Sequence, residues 1–281
     1  MRDIFDTHVH CLSWEQRADD IVAQMDEFGI RMECVIAPPI WYENREALNT
    51  LPRHERREAF SRIWREKAPA ANDLVAGWAR EKPERILALA WIDPLHPEAP
   101  REVERAVENG CAGVKIINIG HYPWDERCFP VYDRVEQLDV PILFHTGILG
   151  DGRNSRYSRP AEFEVLKEWP GLRCILAHMG WPWTDEAIAT IGMGRLYNPT
   201  ANMVMDIAPG APLSWREDAL EKALGYLPPE WILFGTDGKS TDGKAARVIR
   251  ETDYIFKKLR VAEEVQRKIY WENAAAFWSI K

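Results

Sequence analysis

Ile4-Phe5-Asp6-Thr7-His8-Val9-His10 is an apolar run near the start of the chain that ends in two histidines one residue apart. In an extended strand successive side chains point to opposite faces, so His8 and His10 project to one side, close enough to share a cation. The same residues also fit a solvated strand with two incidental histidines, because His-x-His is short and chance matches are common. Later strands decide between the two by whether they supply the missing ligands.

Downstream, short apolar runs alternate with turns and amphipathic stretches, the rhythm that βαβ units produce. The runs Ile4 to His10, Cys34 to Pro38, Ile86 to Ile92, Gly113 to Asn118, Pro141 to His145, Arg173 to His178, Met203 to Ile207 and Trp231 to Thr236 read as eight strands. Several are nearly continuous in Val, Ile, Leu and Ala, as expected of parallel strands covered on both faces. Together they predict an α/β fold, a (β/α)8 TIM barrel. Ala18, Ile21, Val22 and Met25 recur at helical spacing before Gly29, and Pro100 to Asn109 does the same before Gly110. The charged segment 41–84 breaks the rhythm and reads as a helical insertion of two or three helices after the second strand. In a barrel it would lid the catalytic face, build an oligomer contact, or pack outside.

The chain has 281 residues, 46% of them apolar, which suits one large core and a single domain over 1–281. Its 36 basic and 44 acidic residues leave a net charge of −8, with no dense basic patch for nucleic acid or membrane. Five scattered cysteines (Cys11, Cys34, Cys111, Cys128 and Cys174) lack any Cys-x-x-Cys pairing and read as reduced thiols. No run suits a signal peptide or a membrane span, so a cytoplasmic protein is expected.

The strand ends share one property. The fourth strand carries Lys115 near its end, the fifth His145, the sixth His178 and the eighth Asp237. In a barrel these ends converge on one mouth, where imidazoles and a carboxylate suit a divalent metal such as zinc. A single buried histidine is more often a satisfied core residue. Four histidines and an aspartate in this arrangement are hard to explain that way.

The sequence resembles the amidohydrolase superfamily, in its amidohydrolase-related branch of metal-dependent hydrolases, lactonases and non-oxidative decarboxylases. DTHVH, GVKI, PILFHTG, CILAHMGWPW, NMVMDIA, ILFGTDG and the closing KIYWENAAAFW carry the resemblance, by order and spacing together. It implies that His8, His10, His145 and Asp237 bind a metal. His178 is then a ligand of the second metal in two-metal members, or hydrogen-bonds or protonates the reacting group in one-metal members. Lys115 would bridge two metals only as a carbamate, since a free lysine is cationic at neutral pH. The alternative is an unmodified Lys115 that binds an anionic group of the substrate beside a single metal, the arrangement this branch favours. The implied cofactor is one zinc ion, or two with carboxylated Lys115, with manganese as another choice.

Zinc would activate a water, Asp237 would act as general base and proton shuttle, and His178 as the electrophilic or oxyanion partner. Hydrolysis of an ester, lactone or amide is the first expectation. Non-oxidative decarboxylation of an aromatic or unsaturated acid is the alternative, and a non-catalytic metal-binding barrel the third. Lys115 and the chain length favour the hydrolase. The expected partner is a small-molecule substrate, with a homodimer as a further option. Candidate substrate contacts are Lys115, His121 in the loop after the fourth strand, Trp181, and Arg159, which shares its loop with Arg153 and Arg156. Among the 13 tryptophans, Trp14, Trp41, Trp181 and Trp183 would wall the pocket, whereas Trp64, Trp78, Trp169, Trp215, Trp271 and Trp278 read as packing residues. His96 is assigned to a proline turn and His54 to solvent.

Overall fold

The computed structural model describes residues 3–11, 13–150, 154–197, 202–239 and 243–280. Nine parallel strands follow one another around a curled sheet: β1 (Phe5–His10), β2 (Met32–Ile36), β3 (Ile86–Ile92), β4 (Cys111–Ile116), β5 (Ile142–Phe144), β6 (Arg173–Leu176), β7 (Asn202–Asp206), β8 (Ile232–Leu233) and β9 (Gly238–Lys239). β8 pairs with β7, and β9 pairs with β1. These two short strands are parts of one interrupted eighth strand, where the sequence predicts an unbroken run from Trp231 to Thr236. The interruption has a cause. The Thr7 amide donates to the Phe234 carbonyl at 3.0 Å, and the Thr236 amide donates to Asp6 Oδ1 at 2.9 Å. The Thr236 hydroxyl donates to the other Asp6 oxygen. The chain thus crosses from β7 to β1 on backbone and side-chain hydrogen bonds and closes the TIM barrel.

Strand alternation sorts the core into two layers. Phe5, Met32, Cys34, Leu89, Leu143 and Val204 fill the barrel interior, while a larger cluster lies between strands and helices. The bottom is plugged by the closing segment, α9 and α10 (Glu263–Arg267 and Asn273–Phe277) with a π turn between them. Trp271 and Trp278 of that segment stand 5.7 and 5.6 Å from the Phe5 ring.

The outer ring begins with α1 (Ala18–Phe28), which stops at Gly29 in the left-handed conformation, φ 70°. Between β2 and β3 run α2 (Ile40–Thr50) and α3 (Arg53–Glu81). α3 lies over β3: the Trp64 indole donates to the Trp91 carbonyl, and the Trp91 amide donates to Asn72. Asn72 also donates to Glu102 of α4 (Ala99–Glu108), so α3 takes the outer-ring place and α2 is the extra helix. α5 (Phe129–Gln137) follows β4, and two 3-10 segments, Ser155–Ser158 and Pro160–Glu168, take the corresponding place after β5. α6 (Thr184–Tyr197), α7 (Leu213–Tyr226) and α8 (Lys244–Lys258) complete the ring. Among the described residues, no helix is long and apolar enough to cross a membrane. All five cysteines are buried free thiols.

Candidate metal centre

The histidine pair lies on β1 with its rings 5.2 Å apart. β5 and β6 end one and two residues before His145 and His178, so both histidines sit on the first turns beyond their strands. His178 is at φ 62° and Asp237 at φ 48°, a left-handed backbone that is uncommon for residues other than glycine and concentrates at functional sites. The His178 ring is 4.9 Å from that of His8 and 5.0 Å from that of His145. Asp237 Oδ1 is 3.3 Å from His10 Nε2 and 3.7 Å from His8 Nε2. One donor atom each from His8, His178 and Asp237 falls within 4.8 Å of the others.

A carboxylate not singled out in the sequence organises this set. Asp206, at the end of β7, is fully buried; its Oδ2 lies 2.9 Å from His8 Nδ1, and its Oδ1 accepts the His178 and Ala208 amides at 2.8 and 3.0 Å. His8 Nδ1 therefore carries the proton, and Nε2 turns a lone pair toward the centre. His178 Nδ1 stands 3.3 Å from the Ala208 carbonyl, which selects the same tautomer and again frees Nε2 as an acceptor. Burial, then the neighbouring Lys115 charge, pushes His8 down to about 3, and burial lowers His178 as well. Both rings are neutral at pH 7, as metal ligands must be. Burial would raise the Asp237 carboxyl, but a hydrogen bond from His10 and the adjacent imidazoles hold it well below the usual range. The donor set of neutral imidazoles and one ionised carboxylate fits a divalent transition metal.

Lys115 points to the same centre: its Nζ is 3.3 Å from His8 Nε2, and burial pushes it down to about 8. Above the ring opens a cavity of about 620 Å3 whose wall includes His10, His145, His178, Trp181 and Asp237. Three cationic side chains, Arg45 of α2, Lys239 of β9 and Lys244 of α8, also line it. Lys244 donates to the Asp237 carboxylate at 3.1 Å. None of these three stands out in the sequence, because each depends on which loop bends over the mouth.

The other candidates divide. Trp181 lines the cavity, and its ring lies 5.4 Å from that of Trp215, tilted by 52°; Trp215 is 54% exposed, so its expected packing role is corrected to a place at the surface. Arg159 does not line this cavity, because its guanidinium is paired with Glu186 of α6. His121 is buried in the β4 exit loop, and His54 is 82% exposed, as expected. His96 accepts the Glu98 amide within its turn. Arg153 and the side chain of Trp41 lie outside the described residues.

A family model described as amidohydrolase matches residues 5–280. The chain belongs to the amidohydrolase family. Among curated proteins, none matches it. Among solved structures, 2,6-dihydroxybenzoate decarboxylase from Rhizobium shares 20% identity over 100% of this chain and 99% of that one, with a TM-score of 0.70. A probable 2-pyrone-4,6-dicarboxylic acid hydrolase from Acinetobacter baumannii shares 13% over 100% of both chains, TM-score 0.65. A 4-oxalomesaconate hydratase from Rhodopseudomonas palustris shares 15% over 98% and 95%, TM-score 0.65. These likenesses show the barrel fold, a scaffold that carries several chemistries.

Proposed function

We propose that the chain is a cytoplasmic, metal-dependent hydrolase acting on an ester, lactone or amide bond of a small substrate that carries a carboxylate or an aromatic ring. A zinc ion held by His8, His10, His145 and Asp237 would lower the pKa of a water from about 15.7 toward 7 and polarise the scissile carbonyl. The remaining steps fall to the chain's own groups. Asp237, ionised at its oxygens, accepts a proton from the water and passes it to the leaving group. His178, neutral with Nε2 free, orients the water by accepting a hydrogen bond. Lys115 donates to an anionic oxygen of the substrate, and Arg45 and Lys239 at the rim favour an acid.

Lys115 is the observation that carries hydrolysis over decarboxylation: buried at the end of β4 with its Nζ 3.3 Å from His8 Nε2, it is placed to hold an anionic oxygen of the substrate beside the activated water. A second reading makes His178 itself a ligand, on the 4.8 Å span it shares with His8 and Asp237. Metal analysis of the purified protein is expected to give one ion per chain, or two if Lys115 is a carbamate, and weakened metal binding in His178→Ala marks the second reading. Activity is to be followed on lactones, esters and aromatic acids, scoring hydrolysis products and released carbon dioxide separately. Hydrolysis that vanishes with metal removal and in Asp237→Asn is the expected result. Full activity of the stripped protein, or carbon dioxide release alone, overturns the proposal.

A further inference from the structure

Among the described residues that line the large cavity, Asp237 is the one carboxylate, and a single side chain holds it at two points. Lys244 Nζ donates to Asp237 Oδ2 at 3.1 Å and also to the Asp237 backbone carbonyl, seven positions back. The other carboxylate oxygen, Oδ1, faces the histidine pair, 3.3 Å from His10 Nε2 and 3.7 Å from His8 Nε2. Asp237 has φ 48°, a backbone that few residues other than glycine adopt. One ammonium therefore ties down both the unusual backbone and the direction of the carboxylate.

Local preference argues against a lysine here. Lys244 is the first residue of α8, after Gly243 at φ 68°, and the first turn of α8 carries no acidic residue. A helix N-terminus bears partial positive charge, which favours carboxylates and opposes a cation. A residue set against its local preference is expected where a functional site gains from it. We propose that Lys244 is a positioning residue of the metal centre, which holds Oδ2 and the carbonyl of Asp237 so that Oδ1 alone is presented to the metal. The proposal rests on the metal-dependent reading of the site and assigns Lys244 no contact with substrate. Charge alone predicts the opposite effect on binding: an ammonium repels a dication, so its deletion would tighten metal binding. Loss of a group that orients a ligand weakens it, by about 10- to 100-fold. The direction of the change separates the two.

The test is metal binding by the whole protein, independent of turnover. Metal-stripped wild type, Lys244→Met and Lys239→Met are titrated with zinc against a chelating indicator, and with cobalt(II) while the visible spectrum is recorded. Lys239→Met serves as control, because it deletes a cation from the same cavity. Lys244→Met is expected to bind zinc about 10- to 100-fold more weakly and to show an altered cobalt spectrum, since the ion's coordination changes once Oδ2 is released. Its metal-free melting temperature is expected to be no lower than that of wild type, because a repelled charge leaves the helix N-terminus. Lys239→Met is expected to bind zinc as tightly as wild type or more tightly. Zinc binding by Lys244→Met that is unchanged or tighter, an unchanged cobalt spectrum, or an equal loss in Lys239→Met overturns the proposal. A Lys244→Met chain that melts earlier or does not fold overturns it too, and makes Lys244 a brace of the fold. Wild type that takes up neither metal ends both this proposal and the metal-dependent reading; metal uptake without hydrolysis leaves this one standing.

Discussion

Asp206 holds three groups with two oxygens: the His8 ring and the His178 and Ala208 amides. One oxygen fixes the His8 tautomer; the other fixes the backbone that turns His178 inward. Burial would push its carboxyl up, but His8 and the His178 amide take it below the usual range, so it acts as an anion. In Asp206→Asn the amide oxygen can still accept the two backbone amides, while the amide nitrogen cannot accept from His8. The variant is expected to fold and to bind zinc about 10- to 100-fold more weakly, measured by competition with a chelating indicator. Unchanged affinity would remove Asp206 from this role. The sequence signal existed, since Asp206 ends an apolar strand as the recognised ligands do. Its partner, however, lies 198 positions away, and no local pattern pairs them.

Strands and loops follow the same division. Apolar runs marked seven of the strands, to within a few residues at each end, because burial on both faces leaves a long hydrophobic signature. The eighth was misread as continuous, because Asp6 captures Thr236 across 230 positions. His145 and His178 depend on a contact between loops that is equally silent in sequence. Gly147, at φ 91°, lets the β5 exit run against the β6 exit, where the Ile148 amide donates to the Trp181 carbonyl at 2.9 Å. A Cβ at position 147 would collide with that carbonyl oxygen. Gly147→Ala must therefore separate the two loops or strain the backbone, at a cost of roughly 1–3 kcal/mol. A lowered melting temperature together with weakened zinc binding is expected. A variant with wild-type melting and affinity would show that the loops are not coupled through this contact.

At the scale of the whole barrel, apolar layers surround a polar centre that lowers stability for the sake of its chemistry. Fold class was legible because periodicity and strand-end residues agreed; the cationic rim was not, since Arg45, Lys239 and Lys244 meet only once the barrel closes. Lys115 allows the cost of the centre to be measured. Its ordinary value of 10.5 falls to about 8 in the folded protein, by burial first, with Asp206 and Asp237 opposing. Below pH 8 the lysine is charged in both states, and the full penalty of burying that charge is present, ~3 kcal/mol. Between pH 8 and 10.5 the unfolded chain holds a proton that the folded chain has released, so stability rises with pH across this window. Metal-stripped wild type should be less stable than Lys115→Met at pH 7, with the gap closing by pH 10.5. Groups that titrate in both proteins cancel in the comparison, which is read from denaturant melts at each pH. A gap that stays constant over the window would mean that Lys115 is not buried as a cation, and would favour its conversion to a carbamate.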